Sequence, residues 1–180
     1  MEFVRDAAGN MKPLPAASID TGMGLERIVA VLQGKISNYD TDLFKPILRS
    51  IETVTGRTYG SHSAEATVGL DDISMRVIAD HLRAMTFLIA DGVMPSNEWR
   101  GYVLRKIMRR AMRHGKKLGM SNPFLHQLVD TVVTEMGAAY PELPANHDTI
   151  IRVVRAEEER FDSVLTDGLP KLELALSTAK

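Results

Sequence analysis

Cysteine does not occur among the 180 residues. That excludes disulfides, thiolate nucleophiles and cysteine-ligated zinc or iron–sulfur centres, so no zinc site is expected in this chain. Long apolar runs are also missing: uncharged stretches fall well short of the ~20 apolar residues a membrane helix requires, and no membrane partner is expected. The opening MEFVRDAAGN is broken by acids and leads into no apolar run, unlike a signal peptide; a cytoplasmic location is expected. The five histidines (His62, His81, His114, His126 and His147) show no HxxxH or HExxH spacing, so no metal ligands are expected. Net charge is −1, which predicts no general attraction to polyanions. The last absence is local. No Asp or Glu occurs from Trp99 to Val129, while eight of the 22 Lys and Arg lie between Arg100 and Lys117. A positive face on a nearly neutral protein can steer a polyanion that its total charge cannot.

What is present is ordinary for a globular chain, 44% hydrophobic and 25% charged, enough for one good-sized domain or a domain with a partial neighbour. The stretch around Gly9-Asn10 reads as a strand, a turn and a return strand. A helix follows from Leu25, with Leu25, Ile28, Val29 and Leu32 on its buried side and Gly34 ending it. Two or three short strands do not make a stable sheet alone, so residues 1–35 read as the edge of a larger antiparallel sheet with one helix. From Ile36 helical periodicity dominates. Asn38 or Asp40 is expected to cap a helix ended by Gly56, Pro46 allowing a later start. Asp71 or Asp72 is expected to cap a helix to about Ala90, whose stripe is Ile73, Val77, Ile78, Leu82, Met85, Leu88 and Ile89. A basic helix spans about 98–118, and Asn122-Pro123 reads as the start of another ending near Met136. Pro141 and Pro144 mark a loop. Asn146 or His147 opens a final helix toward Asp167, which Pro170 should kink or fray. The expected fold is mainly α, residues 36–180 forming a bundle of about five helices.

Two segments carry chemistry. In Asp20-Thr21-Gly22-Met23-Gly24-Leu25-Glu26-Arg27, two glycines let a ligand approach the backbone closely. Asp20 offers a carboxylate to an ammonium group, and Arg27 offers a planar fork to phosphate. A Gly-softened strand end followed by a solvated helix fits the same residues. On the basic helix, Leu104, Ile107, Met108, Ala111, Gly115 and Leu118 trace a buried stripe. Lys106, Arg110, Arg113 and Lys117 recur at spacings of four, three and four as a cationic ridge, bordered by Arg105, Arg109 and Lys116. Such a ridge suits an RNA backbone, where Lys and Arg displace condensed counterions. Ordinary exposed helices mix signs for i,i+4 pairing, which this one does not. Asn97, just before the helix, either reads a base-pair edge in a shallow minor groove or caps the helix, unless Ser96 does so. Trp99 reads as a packed aromatic rather than a stacking platform.

The octapeptide DTGMGLER resembles motif 3 of the class II aminoacyl-tRNA synthetases, in the form characteristic of the alanyl-tRNA synthetases. Pro13-Leu14-Pro15, Ser37-Asn38-Tyr39-Asp40-Thr41-Asp42-Leu43-Phe44, Arg76-Val77-Ile78-Ala79-Asp80-His81-Leu82-Arg83, the run from Ala90 through Pro95-Ser96-Asn97 to Glu98, and the run from Arg100 to Ala111 are similar to that family too, Trp99 between them standing at a position that varies. The resemblance covers nearly the whole chain but only a middle part of the family, without its motifs 1 and 2 or its zinc-bearing editing domain. It implies a piece of an alanine–tRNA ligase, which forms alanyl-adenylate from ATP and alanine with Mg²⁺ and then esterifies tRNA(Ala). Residue by residue, it implies that Asp20 holds the α-amino group of alanine, that Gly22 and Gly24 leave room for the adenylate, and that Arg27 engages ATP. It also implies that Asn97 meets the G·U pair of the acceptor stem, and that Arg100, Arg105, Lys106, Arg109, Arg110, Arg113 and Lys117 contact the tRNA. Lys106 stands where the family more often has Arg, which keeps the charge but loses the fork. Alone, the piece is expected to be inactive and to hold no tightly bound cofactor. A stand-alone, non-catalytic RNA-binding helical module is the alternative.

Overall fold

The computed structural model describes residues 2–16, 18–19, 22–60 and 69–178. It divides into two compact units, Met1–Thr41 and Asp42–Lys180.

In the first unit, β1 (Phe3–Arg5) and β2 (Met11–Pro13) form an antiparallel hairpin with Val4 opposite Lys12. The turn is built by Asp6, whose carboxylate accepts the backbone N–H groups of Ala8 at 3.1 Å and Asn10 at 2.9 Å. Gly9 takes the left-handed conformation the turn needs, at φ 89°. The Asn10 backbone donor first, then Lys12, hold the Asp6 carboxyl below the usual carboxylate range. Helix α1 (Leu25–Leu32) begins where expected, and Gly34 follows its end at φ 61°. Its expected buried side is corrected. Only Ala30 is buried, Ile28 and Val29 are half-buried, and Leu25 and Leu32 are exposed. Some forty residues cannot enclose a core of their own, and a hairpin exposed on both faces gives this helix nothing to bury against.

The second unit is a helical bundle: α2 (Lys45–Thr55), α3 (Leu70–Ala90), α4 (Trp99–Lys117), α5 (Leu125–Met136), a single turn α6 (Glu142–Ala145) and α7 (His147–Thr178). Helix α3 packs chiefly on α4, and α5 on α7 and α2. Ile47, Ile51, Met75, Ile78, Leu82, Met85, Leu104, Met108, Leu125 and Leu128 are sealed from solvent at the centre. The stripe of α3 is rotated from the expected one: Met75, Ile78, Ala79, Leu82, Met85, Thr86 and Ile89 are buried and Ile73 is exposed.

Helix starts depart most from expectation, because tertiary partners replace local caps. Asn38 and Asp40 sit in a separate 3₁₀ turn capped by Ser37, and α2 starts later, at Lys45, with Pro46 in its first turn. Gly56 closes it at φ 65°. Asp71 and Asp72 lie inside the first turn of α3, where acids complement the helix dipole; Asp72 accepts the Gly60 N–H at 2.8 Å instead of capping. Asn122 does not cap α5. The buried Glu158 of α7 does, accepting the N–H groups of Phe124, Leu125 and His126 at 2.8, 2.8 and 3.1 Å. The Pro141–Pro144 segment folds as α6 rather than a loop. Helix α7 runs through Pro170 to Thr178. A proline removes one hydrogen bond, but Lys171-Leu172-Glu173-Leu174-Ala175 are strong helix formers that carry the helix on.

Candidate nucleic-acid interface

Asp20 lies outside the described residues, so the expected ammonium-binding carboxylate is not located. Around it, Gly24 is the extended N-cap of α1, at φ −66° and ψ 122°. Among the described residues, a Cβ on Gly22 would meet nothing within 4 Å, and one on Gly24 only the stem of Arg27 at 3.8 Å. Packing among the described residues therefore demands neither glycine. Arg27, third residue of α1, is exposed, and among the described residues no carboxylate lies within ion-pair distance of it.

Helix α4 is amphipathic in three bands. Gly101, Leu104, Met108, Ala111, Met112 and Gly115 are buried, and Ile107 is half-buried. Opposite them Lys106, Arg110, Arg113 and Lys117 are all exposed and, among the described residues, free of ion pairs. Between the two bands the border cations are spent on α7. Arg109 Nε donates to Glu157 Oε1 at 2.9 Å, Arg105 Nε forms an ion pair with the same oxygen at 3.1 Å, and Lys116 meets Asp162 at 2.8 Å. Glu157 is 2% exposed. Of the cations expected to contact tRNA, Arg100, Lys106, Arg110, Arg113 and Lys117 lie on the surface, whereas Arg105 and Arg109 are half-buried and bound to α7.

The loop between α3 and α4 is folded back onto the first turn of α4. Ser96 donates its N–H to the Gly101 carbonyl at 3.1 Å. Any Cβ on Gly101 would lie 2.2 Å from Ser96 Oγ and 2.4 Å from the Met94 carbonyl, so only glycine fits. Neither Ser96 nor Asn97 caps α4. The N-cap is Glu98, without a side-chain hydrogen bond, and Ser96 Oγ is occupied with the Glu98 backbone instead. Asn97 is exposed, and its Oδ1 accepts from Arg105 Nη1, while Arg105 Nη2 donates to the Pro95 carbonyl at 3.2 Å. A guanidinium only donates, so it fixes the amide with its oxygen inward. The Asn97 Nδ2 donor is what remains for a ligand. The expectation that Trp99 is packed is corrected: it is 88% exposed, at φ 51°.

Beside the ridge, His81, Tyr102, Val103, Ile107, Arg110 and Phe161 line an open groove of about 620 Å³. The local potential is visible in two titrating groups. The His114 pKa is lowered by burial, and next by the positive charges of Lys117, Arg110 and Arg113. Asp80 is held below the usual carboxylate range by its hydrogen bond to His81 and by the nearby Arg83 and Arg110. Among the described residues no group of three or more His, Asp or Glu could hold a metal ion, and no helix is long and apolar enough to cross a membrane.

Sequence reasoning missed Glu157 and Gly101. Glu157 sits in a run of three glutamates that reads as a solvated face. The signal was the spacing from Ile150 and Val154, which carries the buried stripe of α7 through 157 and 158. For Gly101 the signal was a glycine inside a long helix, a placement that usually has a packing reason.

Comparison with known proteins covers the whole chain. The family model for class II tRNA synthetases (A) matches residues 1–180. The chain is 55% identical over 177 residues to an alanine–tRNA ligase of Acidithiobacillus ferridurans, covering 98% of the chain and 20% of that protein. It is 55% identical over 179 residues to one from Anaeromyxobacter sp. (strain Fw109-5), covering 99% of the chain and 19% of the relative. The alanine–tRNA ligase of Neisseria meningitidis serogroup C is 52% identical over 177 residues, 98% of the chain and 19% of its own length. The chain thus spans about a fifth of the curated relatives it matches.

Proposed function

The chain belongs to the class II tRNA synthetase family, and we propose that it is the part of an alanine–tRNA ligase that carries motif 3 and grips the acceptor stem of tRNA(Ala). On this reading the whole enzyme forms alanyl-adenylate from ATP and alanine with Mg²⁺ and transfers alanine to the tRNA 3′ end, in the cytoplasm. Residues 1–35 belong to the catalytic domain and 36–180 to tRNA recognition. Asp20, Gly22 and Gly24 take the amino acid and adenylate, and Arg27 neutralises phosphate charge or stacks on adenine. The described residues include no magnesium-ligand set, so no step through the metal is assigned to them.

The observation that carries the RNA half is the exposed ridge of Lys106, Arg110, Arg113 and Lys117 beginning near Asn97, free of ion pairs among the described residues. Phosphates take the ridge cations, which position the duplex, and the Asn97 amide donor meets a minor-groove acceptor: a base-edge oxygen or nitrogen, or a 2′-hydroxyl. The test is binding of acceptor-stem minihelices with G·U or G·C at the recognition pair. Expected is salt-dependent binding that favours G·U, a preference lost in Asn97→Ala while affinity for the G·C stem is kept. Equal loss on both stems overturns the reader role, and salt-independent binding overturns the ridge. On this reading, these 180 residues taken alone should show no alanine-dependent pyrophosphate exchange.

A further inference from the structure

Trp99 is the sole tryptophan of the chain. It opens α4 at φ 51°, the only described non-glycine residue with positive φ. For a bulky side chain that conformation is unfavourable, and such outliers concentrate where function holds them. The usual compensation, burial of the ring, is missing, since 88% of the residue is exposed. Glycine here would remove the strain at no cost in packing. The fold therefore gives no reason for an indole at this position.

The surroundings give one. Arg100 beside it is exposed. Tyr102, three residues on and on the same side of the helix, is 48% exposed, with Lys106 Nζ 5.4 Å from its ring centroid. Aromatic faces thus stand where the cationic ridge begins, two residues from Asn97. Paired bases in the interior of a duplex keep their faces in the stack and offer an indole nothing flat. A base without a partner offers its whole face, and aromatic rings among cations are how proteins hold unpaired nucleotides.

We propose that Trp99 is a stacking platform for an unpaired nucleobase adjoining the RNA duplex on the ridge, an inference that rests on the RNA-binding reading above. Because the indole is unique, its fluorescence reports this position alone. The probes are an RNA acceptor stem with a short unpaired 3′ tail and the same stem blunt-ended. Expected is quenching by the tailed stem only. Trp99→Gly should melt no lower than wild type, bind the tailed stem about tenfold more weakly and bind the blunt stem unchanged, while Trp99→Phe recovers part of the loss. Equal quenching by both stems, or Trp99→Gly binding the tailed stem as tightly as wild type, overturns the inference. If both stems bind with salt-dependent affinity yet Trp99→Gly changes nothing, the RNA reading stands and only this inference falls. If the wild-type chain binds neither stem, both fall.

Discussion

Seven Lys and Arg from Arg105 to Lys117 share one helix and yet fall into two populations. Lys106, Arg110, Arg113 and Lys117 face solvent and form no ion pair among the described residues, whereas Arg105, Arg109 and Lys116 are neutralised by Glu157 and Asp162 of α7. The difference is one of angular position only. A cation beside the buried stripe forms ion pairs with the acids of a packed neighbour, and one opposite the stripe forms none among the described residues. The border cations fasten the helix, and their fastening leaves the ridge as the part of the charge available to a ligand. Arg105 does both jobs: anchored by Glu157, it grips the Asn97 amide and the Pro95 carbonyl. Glu157 is in this sense a positioning residue for the loop.

Breaking that anchor has the largest expected effect. Glu157→Gln leaves two half-buried guanidiniums without their carboxylate, and removing one partner of a buried ion pair costs about 3–5 kcal/mol. The melting temperature should drop by roughly 10 °C, and any G·U preference should weaken with the loosened Asn97. Asp162→Asn, which frees only Lys116 at a partly exposed pair, should change stability by less than about 1 kcal/mol. Equal melting of the two variants would remove the distinction between anchor and rim.

The loop is tested separately from the anchor by Gly101→Ala. The new methyl group cannot coexist with Ser96 Oγ at 2.2 Å or the Met94 carbonyl at 2.4 Å. The loop must shift, at a cost of about 1–3 kcal/mol, and the preference between stems should fall more than affinity for either. A variant that kept full discrimination would detach Asn97 from stem reading.

On the ridge, Arg109→Ala and Arg110→Ala form the sharpest pair, being neighbours in sequence and opposites in role. Arg110→Ala should leave the melting temperature unchanged, reduce affinity for every RNA stem about fivefold near physiological salt, and lower the salt slope by about 0.9. Arg109→Ala should destabilise, because it removes a hydrogen bond to a buried carboxylate. If Arg109→Ala instead flattens the salt slope as much as Arg110→Ala, the border contacts phosphate too.

How much of this could be read from the residues divides along the same line. Periodicity shows most of the buried side of α4, missing Met112 and overcounting the half-buried Ile107, because a single helix fixes angular position, and the ridge cations are exposed as that periodicity indicates. Counting acids along the chain misled at Arg105 and Arg109, since Glu157 comes from 48 or more residues away and only packing brings it there. The start of α5 failed for the same reason: Glu158 caps it across the bundle, which no local motif at Asn122 encodes. In the first unit, Gly9 and Gly34 act as the turn chemistry indicated. The exposed Leu25 and Leu32 show that an apolar stripe indicates which side a helix can bury and says nothing about what covers it.

The smallest expected effect lies at the boundary between the two populations, on His114. Its ring is half-buried, its Nδ1 is 3.1 Å from Ser74 Oγ, and burial, followed by the charges of Lys117, Arg110 and Arg113, keeps its pKa below the ordinary 6.5. A folded-state pKa lowered in this way contributes stability that is present above pH 6.5 and lost as the pH falls through the folded value. RNA phosphates on the ridge would offset the three cations without undoing the burial. The His114 pKa should then rise on binding, though not to its unfolded value. The bound state holds more proton, so affinity should increase slightly as the pH is lowered from about 7.5 to 6. Arg110 should account for part of the change, since it is one of the three charges being neutralised. Proton NMR titration of the His114 ring, with and without saturating minihelix, measures this directly. A ring that titrates identically in both states would mean that phosphate sits elsewhere than along Arg110, Arg113 and Lys117.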